Sequence, residues 1–172
     1  TIGMVSSVLK YEKKDASAGS SALANTVHRT ALERIYLSSY AWRFTGEQKY
    51  FDQALKTLKE VCSFPDWNTK GSSLDMAELA TAVAIGYDWL YKDLSSEVKA
   101  LAEKAMLDFA LTPSDKGEYS QNFYNNNHNW NQVCNAGLVC AALATYEKYP
   151  EFAKKMIDKS VTTNRRAVEV MY

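Results

Sequence analysis

The chain has 172 residues, 47% of them hydrophobic, and 20 basic side chains balance 20 acidic ones. This length and composition predict one globular domain with a buried core. The balanced charge argues against nucleic acid or an anionic membrane as a partner, and no apolar run is long enough to cross a bilayer. The three cysteines lack metal-ligand spacing, so we expect buried thiols, no metal and no cofactor.

Helical spacing of apolar residues runs through most of the chain. Residues 1–21 are ambiguous and end in a small-residue linker, so we place the domain at residues 22–172. The predicted helices span residues 22–44, 47–62, 75–91, 96–111, about 130–146 and 151–172. The helices over 75–91 and 130–146 are apolar on nearly every side, which predicts burial. The helices that follow short turns, starting near residues 47, 96 and 151, have one apolar face.

A buried helix followed by a one-sided helix recurs about every fifty residues, with one-sided helices starting near residues 47, 96 and 151. Such a period indicates an array of helical hairpins, either a solenoid or a closed α/α toroid. The alternation of apolar and one-sided helices favours the toroid, in which an outer ring covers an inner ring. The sequence therefore predicts an all-α fold of about three inner/outer hairpins.

The longest connections, residues 64–74 and 112–129, both precede buried helices. If the buried helices are parallel, these two loops lie side by side at one end of the domain. Asp75 is placed to cap the helix after the first loop. Helix N-termini at that end favour an anionic group, and loops on one side of a scaffold are where binding residues concentrate.

The second loop ends in a dense cluster of amides around one histidine. Histidine can donate or accept a proton near neutral pH, and amides can bind a carboxylate or hydroxyls without adding a charge. Asn125 and Asn126 are the members we expect to act only in the loop. The candidate functional residues of this cluster are Asn127, His128, Asn129, Asn131 and Gln132.

Aromatic residues are also concentrated in the two loops. Sugar rings can stack on such side chains, but the same residues could instead plug the end of the domain, and both readings stay open. The loop aromatics are Trp67, Tyr119, Phe123, Tyr124 and Trp130. Trp42, Tyr87, Trp89 and Tyr91 lie on the predicted buried helices and are expected in the core.

Three motifs, in this order, carry a family resemblance. They are Phe64-Pro65-Asp66-Trp67-Asn68, then Asp75-Met76-Ala77-Glu78 with Ala84-Ile85-Gly86-Tyr87-Asp88-Trp89-Leu90-Tyr91, then Asn129-Trp130-Asn131-Gln132-Val133-Cys134-Asn135 with Gly137. From about residue 30 onward the chain resembles the heparinase II/III-like polysaccharide lyases. The resemblance implies an incomplete α/α toroid, normally followed by a β-sandwich, in a periplasmic or extracellular enzyme. Such lyases cleave uronic-acid polysaccharides by β-elimination.

On this resemblance Asn127 would bind the uronate carboxylate, and His128 would share that role or act as base for one uronate epimer. Asn129 is the alternative carboxylate ligand. The other expected substrate contacts are Trp130, Asn131, Gln132, Trp67, Asn68 and Tyr124. The family's catalytic tyrosine would come after residue 172, so we expect this chain to be the N-terminal part of a lyase, inactive alone and able to self-associate through exposed edges.

Two other functions remain open. The chain could be a non-catalytic glycan-binding module that keeps the aromatic loops without chemistry. It could also be part of a glycoside hydrolase on the same kind of toroid, which would need a close pair of carboxylates. Asp66 is the one carboxylate that the motifs place beside the loops.

Overall fold

A computed structural model describes residues 9–12, 26–120 and 122–169 of the chain. The helices are α1 (Val27–Thr45), α2 (Gln48–Cys62), α3 (Ser73–Leu90), α4 (Ser96–Met106), α5 (Thr112–Asp115), α6 (Asn129–Thr145) and α7 (Pro150–Glu169). A π-helical segment (Leu107–Leu111) joins α4 to α5, and a short 3-10 helix (Phe123–Asn125) precedes α6. The described ranges contain no strand, so the all-α prediction is confirmed.

Helices α1, α3 and α6 lie side by side and run in the same direction, with α3 in the middle. His28 at the start of α1 lies beside Asp75 at the start of α3. Further along, Ala77 of α3 packs directly on Gly137 of α6. Helix α7 packs against α6 in the opposite direction, because Thr163 near its end contacts the start of α6. Consecutive helices pack as pairs, α1 with α2, α3 with α4 and α6 with α7. The arrangement of these pairs as the inner and outer rings of a toroid stays a prediction.

The core is centred on α3, the most apolar helix of the chain. Its side chains are buried on the sides facing α1, α2, α4 and α6, as the all-round apolarity predicted. Helix α2 contributes one stripe at the helical spacing, formed by Ala54, Leu58 and Val61, each fully buried. Gly86 and Gly137 allow the helices to approach closely, because a Cβ at either position would overlap a neighbouring helix.

Several predicted boundaries are corrected by the structure. Helix α3 starts at Ser73 with Ser72 as the preceding residue, so Asp75 lies inside the first turn instead of capping it. Helical structure continues past residue 111 to Asp115, which shortens the second loop at its start. Tyr91, expected in the core, is 43% exposed because it follows the last residue of α3. Residues 22–25 and 170–172, which the prediction included in helices, lie outside the described residues.

Other local predictions are confirmed. Pro150 is the first residue of α7, a position where the missing N–H of proline costs nothing. The prediction of buried free thiols is confirmed for Cys62 and Cys134, whereas Cys140 is only half-buried. Among the described helices, none combines the length and apolarity that a membrane span requires.

Candidate functional site

The loops that precede α3 and α6 lie side by side at the end of the domain where α1, α3 and α6 begin. Ser73 and Ser120 are bonded in both directions: the Ser73 N–H donates to Ser120 Oγ at 2.8 Å, and the Ser120 N–H donates to Ser73 Oγ at 3.0 Å. Lys70 and Glu118 form an ion pair across the same boundary at 3.1 Å. The predicted adjacency of the two loops is therefore confirmed.

Asn131, predicted to contact substrate, is fully buried and fastens the second loop to the domain. Its Nδ2 donates to the carbonyl oxygens of Phe123 at 2.9 Å, Tyr124 at 3.3 Å and Thr163 at 3.2 Å. The amide thus joins the loop, the first turn of α6 and the end of α7. The backbone carbonyl of Asn131 in turn accepts a bond from Asn135 Nδ2 at 2.8 Å. In this structure Asn131 positions the neighbouring residues.

The residues before Asn131 face solvent. Asn127, His128 and Asn129 are exposed, while Trp130 and Gln132 are half-buried. His128 is the N-cap residue of α6, and its Nδ1 accepts a hydrogen bond from the Trp130 backbone N–H at 3.4 Å. That bond assigns the neutral ring the tautomer with its proton on Nε2. The exposed imidazole N–H therefore lies beside the positive end of a 17-residue helix.

Asn126, which sequence reasoning set aside, has an unusual environment. Both its Oδ1 and its Nδ2 are shielded from solvent, and neither has a hydrogen-bond partner among the described residues. Buried amide groups are nearly always bonded, so an amide that is not bonded requires an explanation. Asn126 directly precedes the exposed Asn127. Because both atoms are shielded, a ligand could bond to them only if the loop rearranged.

The aromatic side chains at this end are mostly packed inside the protein. Trp67 is fully buried, donates from Nε1 to the Val61 carbonyl at 3.1 Å, and contacts the Phe109 ring edge-on. Tyr124 is 2% exposed and packs against Phe123. These contacts match the alternative in which the loop aromatics plug the end of the domain. Trp130 is the aromatic residue of the α6 N-terminus that keeps solvent-accessible surface.

Asn68 is also buried, and it supports the first loop. It adopts a left-handed conformation, with φ of 58°, that asparagine tolerates better than most residues. Its Nδ2 donates to Asp75 Oδ2 at 2.9 Å, and its N–H donates to Asp66 Oδ1 at 2.7 Å. Asp66 also accepts a hydrogen bond from the hydroxyl of Tyr11. The carboxylate that the motifs placed beside the loops is thus engaged in internal bonds.

Sequence reasoning missed a polar cluster formed by α1 and α3. His28 is buried, with Nδ1 3.5 Å from Asp75 Oδ1 and Nε2 3.6 Å from Glu78 Oε2. Arg29 Nε lies 3.5 Å from the other oxygen of Glu78. A signal was present, because His28 falls on the same helical stripe as the apolar Ala31 and Ile35. A histidine in such a stripe needs a polar partner.

Within the described ranges, no group of histidine, cysteine and acidic side chains is arranged to hold a metal ion. Burial, and to a lesser extent the nearby Glu78 carboxylate, raise the pKa of the Cys134 thiol to about 12, so this thiol stays protonated. The site therefore consists of the exposed amides and imidazole at the start of α6, supported by buried amides beneath them. Comparison with models of known protein families and with curated proteins found no match for this chain.

Proposed function

We propose that the chain forms part of a polysaccharide lyase that cleaves uronate-containing glycans by β-elimination, with the start of α6 as the subsite for the uronate carboxylate. The single observation that carries the proposal is the exposed sequence Asn127-His128-Asn129 at a helix N-terminus. Amide N–H groups, an imidazole N–H and the positive end of a helix all attract a carboxylate.

The chemistry explains why carboxylate binding matters. In the elimination, a base takes the proton from C5 of the uronate, and the electrons of that C–H bond form a double bond between C4 and C5. The C4–O bond breaks, and its electron pair leaves on the oxygen, which is then protonated. Charge delocalised onto the carboxylate in the transition state is stabilised by hydrogen-bond donors fixed in advance. Asn127, or Asn129 in the alternative register, would supply such donors.

The orientation of the His128 ring bears on its role. Its Nδ1 already accepts a hydrogen bond, so the exposed nitrogen carries the proton in the neutral ring. That arrangement suits donation to the carboxylate better than removal of the C5 proton. Of the two roles that the resemblance implies, this favours sharing the carboxylate with Asn127. A separate base is then needed to complete the reaction.

The test is a spectroscopic assay of the full-length protein with glycosaminoglycans, alginate and pectin, in which the new C4–C5 double bond absorbs in the ultraviolet. We expect at least one polymer to give unsaturated product. Asn127→Ala or His128→Ala should lower kcat/KM by about 10²–10³, the effect of removing one donor from an oxyanion-type site. Asn125→Ala is the matched control, because this exposed amide of the same loop is bonded to Asn122.

The outcomes separate the candidate functions. Glycan binding without unsaturated product from any polymer would refute the lyase proposal and support the non-catalytic glycan-binding module. New reducing ends without ultraviolet absorbance would support a hydrolase instead. If His128→Ala and Asn125→Ala have the same rate as the unmodified enzyme, His128 has no part in the chemistry.

A further inference from the structure

A groove of about 610 Å³ runs along the exposed faces of α1 and α3. It is lined by each kind of side chain that carbohydrate sites use: an aromatic ring, carboxylates, a hydroxyl and aliphatic carbon. The residues lining it are Arg29, Leu32, Glu33, Tyr36, Leu37, Glu78, Thr81 and Ile85.

The groove is separate from the start of α6. Ala77, the residue before Glu78, packs on Gly137, nine residues after His128 in a continuous helix. With a rise of 1.5 Å per residue, Glu78 lies about 13 Å along the helix axis from His128. A single sugar unit cannot contact both. A chain of a few units could occupy the two places together.

The position of Glu78 in the groove is fixed by residues inside the protein. His28 lies between it and Asp75, and both are carboxylates within ion-pair distance of the imidazole nitrogens. Asp75 is itself fixed by bonds from Asn68 Nδ2 at 2.9 Å and Ser72 Oγ at 3.2 Å. Most of Glu78 is buried, and its Oε2 is shielded from solvent beside His28. A ligand in the groove can therefore reach the carboxylate only on the side of Oε1, which lies 3.5 Å from Arg29 Nε.

Tyr36 provides the second element of the groove. It is 44% exposed, and its ring is supported from behind by Trp89, with ring centroids 5.3 Å apart. A supported, half-exposed ring offers an apolar face at a low entropic cost, because the side chain is already fixed before a ligand arrives.

The charge of the groove restricts its ligand. Of the described residues that line it, Glu33 and Glu78 are acidic and Arg29 is the one cation, which already lies beside Glu78. A ligand carboxylate placed here would be repelled, whereas hydroxyl groups could donate to Glu78. The surroundings therefore favour an uncharged, hydroxyl-bearing ring.

We propose that the groove between α1 and α3 is a subsite for an uncharged sugar unit, in which Tyr36 stacks on the ring and Glu78 accepts hydrogen bonds from its hydroxyls. His28 is a positioning residue that holds Glu78 for this contact. The choice of a sugar as ligand rests on the proposed function, but the binding test below needs no catalysis and so succeeds or fails separately from the lyase assay.

The experiment measures binding of two probes to this 172-residue chain by calorimetry and amide NMR: a neutral β-linked gluco-oligosaccharide and the corresponding oligoglucuronate. The neutral probe should shift amide signals of α1 and α3. Tyr36→Ala should weaken its binding about tenfold, consistent with the loss of one stacked ring. Tyr146→Ala is the matched control, because this tyrosine is 42% exposed at the far end of α6.

Glu78→Gln tests the polar contact, with Asp88→Asn on the same helix as control. Glu78→Gln should weaken binding of the neutral probe and strengthen binding of the oligoglucuronate, since it removes the repulsion between the two carboxylates. A merely structural role of Glu78 would weaken binding of both probes equally. His28→Gln should weaken binding of the neutral probe less than Glu78→Gln does. If either variant fails to fold, the loss of neutral-probe binding in Tyr36→Ala still tests the proposal. No binding of the neutral probe, or equal binding by the Tyr36→Ala and Tyr146→Ala chains, would overturn the proposal.

Discussion

Substitution of Gly137 by alanine tests the closest contact between α3 and α6. A Cβ at this position would lie 2.5 Å from the carbonyl oxygen of Ala77 and 2.7 Å from its Cα. These are backbone atoms of a central helix, so the overlap can be relieved only if the two helices move apart. Overpacking of this kind costs about 1–3 kcal/mol.

Helix propensity acts in the opposite direction, because alanine is favoured over glycine inside a helix by about 1 kcal/mol. The rigid backbone contact places the steric cost at the upper end of its range, so we expect Gly137→Ala to lower the free energy of unfolding by about 2 kcal/mol. For a chain of this size that corresponds to a fall in Tm of about 4–8 °C. Urea unfolding followed by far-ultraviolet circular dichroism measures the change directly.

Gly86→Ala is an instructive comparison, because its Cβ would meet a side-chain atom, Ile35 Cγ2, at 2.7 Å. Replacing Ile35 by leucine moves the branch away from that atom and should recover part of the loss. No such rescue is open to Gly137→Ala, since Ala77→Gly leaves the overlapping backbone atoms in place. A Gly137→Ala chain as stable as the unmodified one, or more stable, would refute the packing described for α3 and α6.

Three further predictions concern buried groups. Asn131→Ala should lower the free energy of unfolding by about 2–4 kcal/mol in urea melts, because three carbonyls lose their donor; a loss as small as that of the exposed Asn125→Ala would contradict it. At pH 8, alkylation and mass spectrometry should find half-buried Cys140 modified before Cys134, whose pKa burial raises to about 12; equal labelling would count against this burial. Burial, and then a hydrogen bond to the Glu103 carboxylate, raise the pKa of the Tyr87 hydroxyl in the folded chain. Above about pH 10 the unfolded chain loses the hydroxyl proton first, so the free energy of unfolding is retained below that pH and falls above it. Tyr87→Phe should make the alkaline decline less steep, and an unchanged slope would exclude Tyr87 as its source.

The helices could be predicted from sequence because their burial is regular. In α2 the buried Ala54, Leu58 and Val61 recur at helical spacing, and that spacing is visible in the letters alone. Boundaries were predicted less well where local signals conflict. The second loop was predicted to begin at residue 112, but a π-helical segment precedes that position and a new helical turn begins there, with Pro113 near its start.

The polar site was predicted only in part, for a geometric reason. Successive residues of a helix point about 100° apart, so neighbours in the amide cluster face opposite environments. Asn129 is exposed, whereas Asn131 two residues later is buried. The sequence shows that amides are concentrated there but does not show which of them face inward. The apolar stripe of α1 shows that His28 needs a polar partner, but the partners Asp75 and Glu78 lie on another helix and no local pattern identifies them.

Because Asn131 is buried and Asn127 is exposed, variants of the two residues can separate support of the loop from contact with the uronate. Asn131 holds the loop that carries Asn127, so Asn131→Ala should weaken both the fold and uronate binding. Asn127 makes no internal bond in the described structure that would be lost, so Asn127→Ala should weaken binding of an oligoglucuronate while leaving the urea midpoint unchanged. Measuring both quantities for both variants separates support from contact. Equal binding by the Asn127→Ala and unmodified chains would move the carboxylate subsite away from the start of α6, whatever happened to stability.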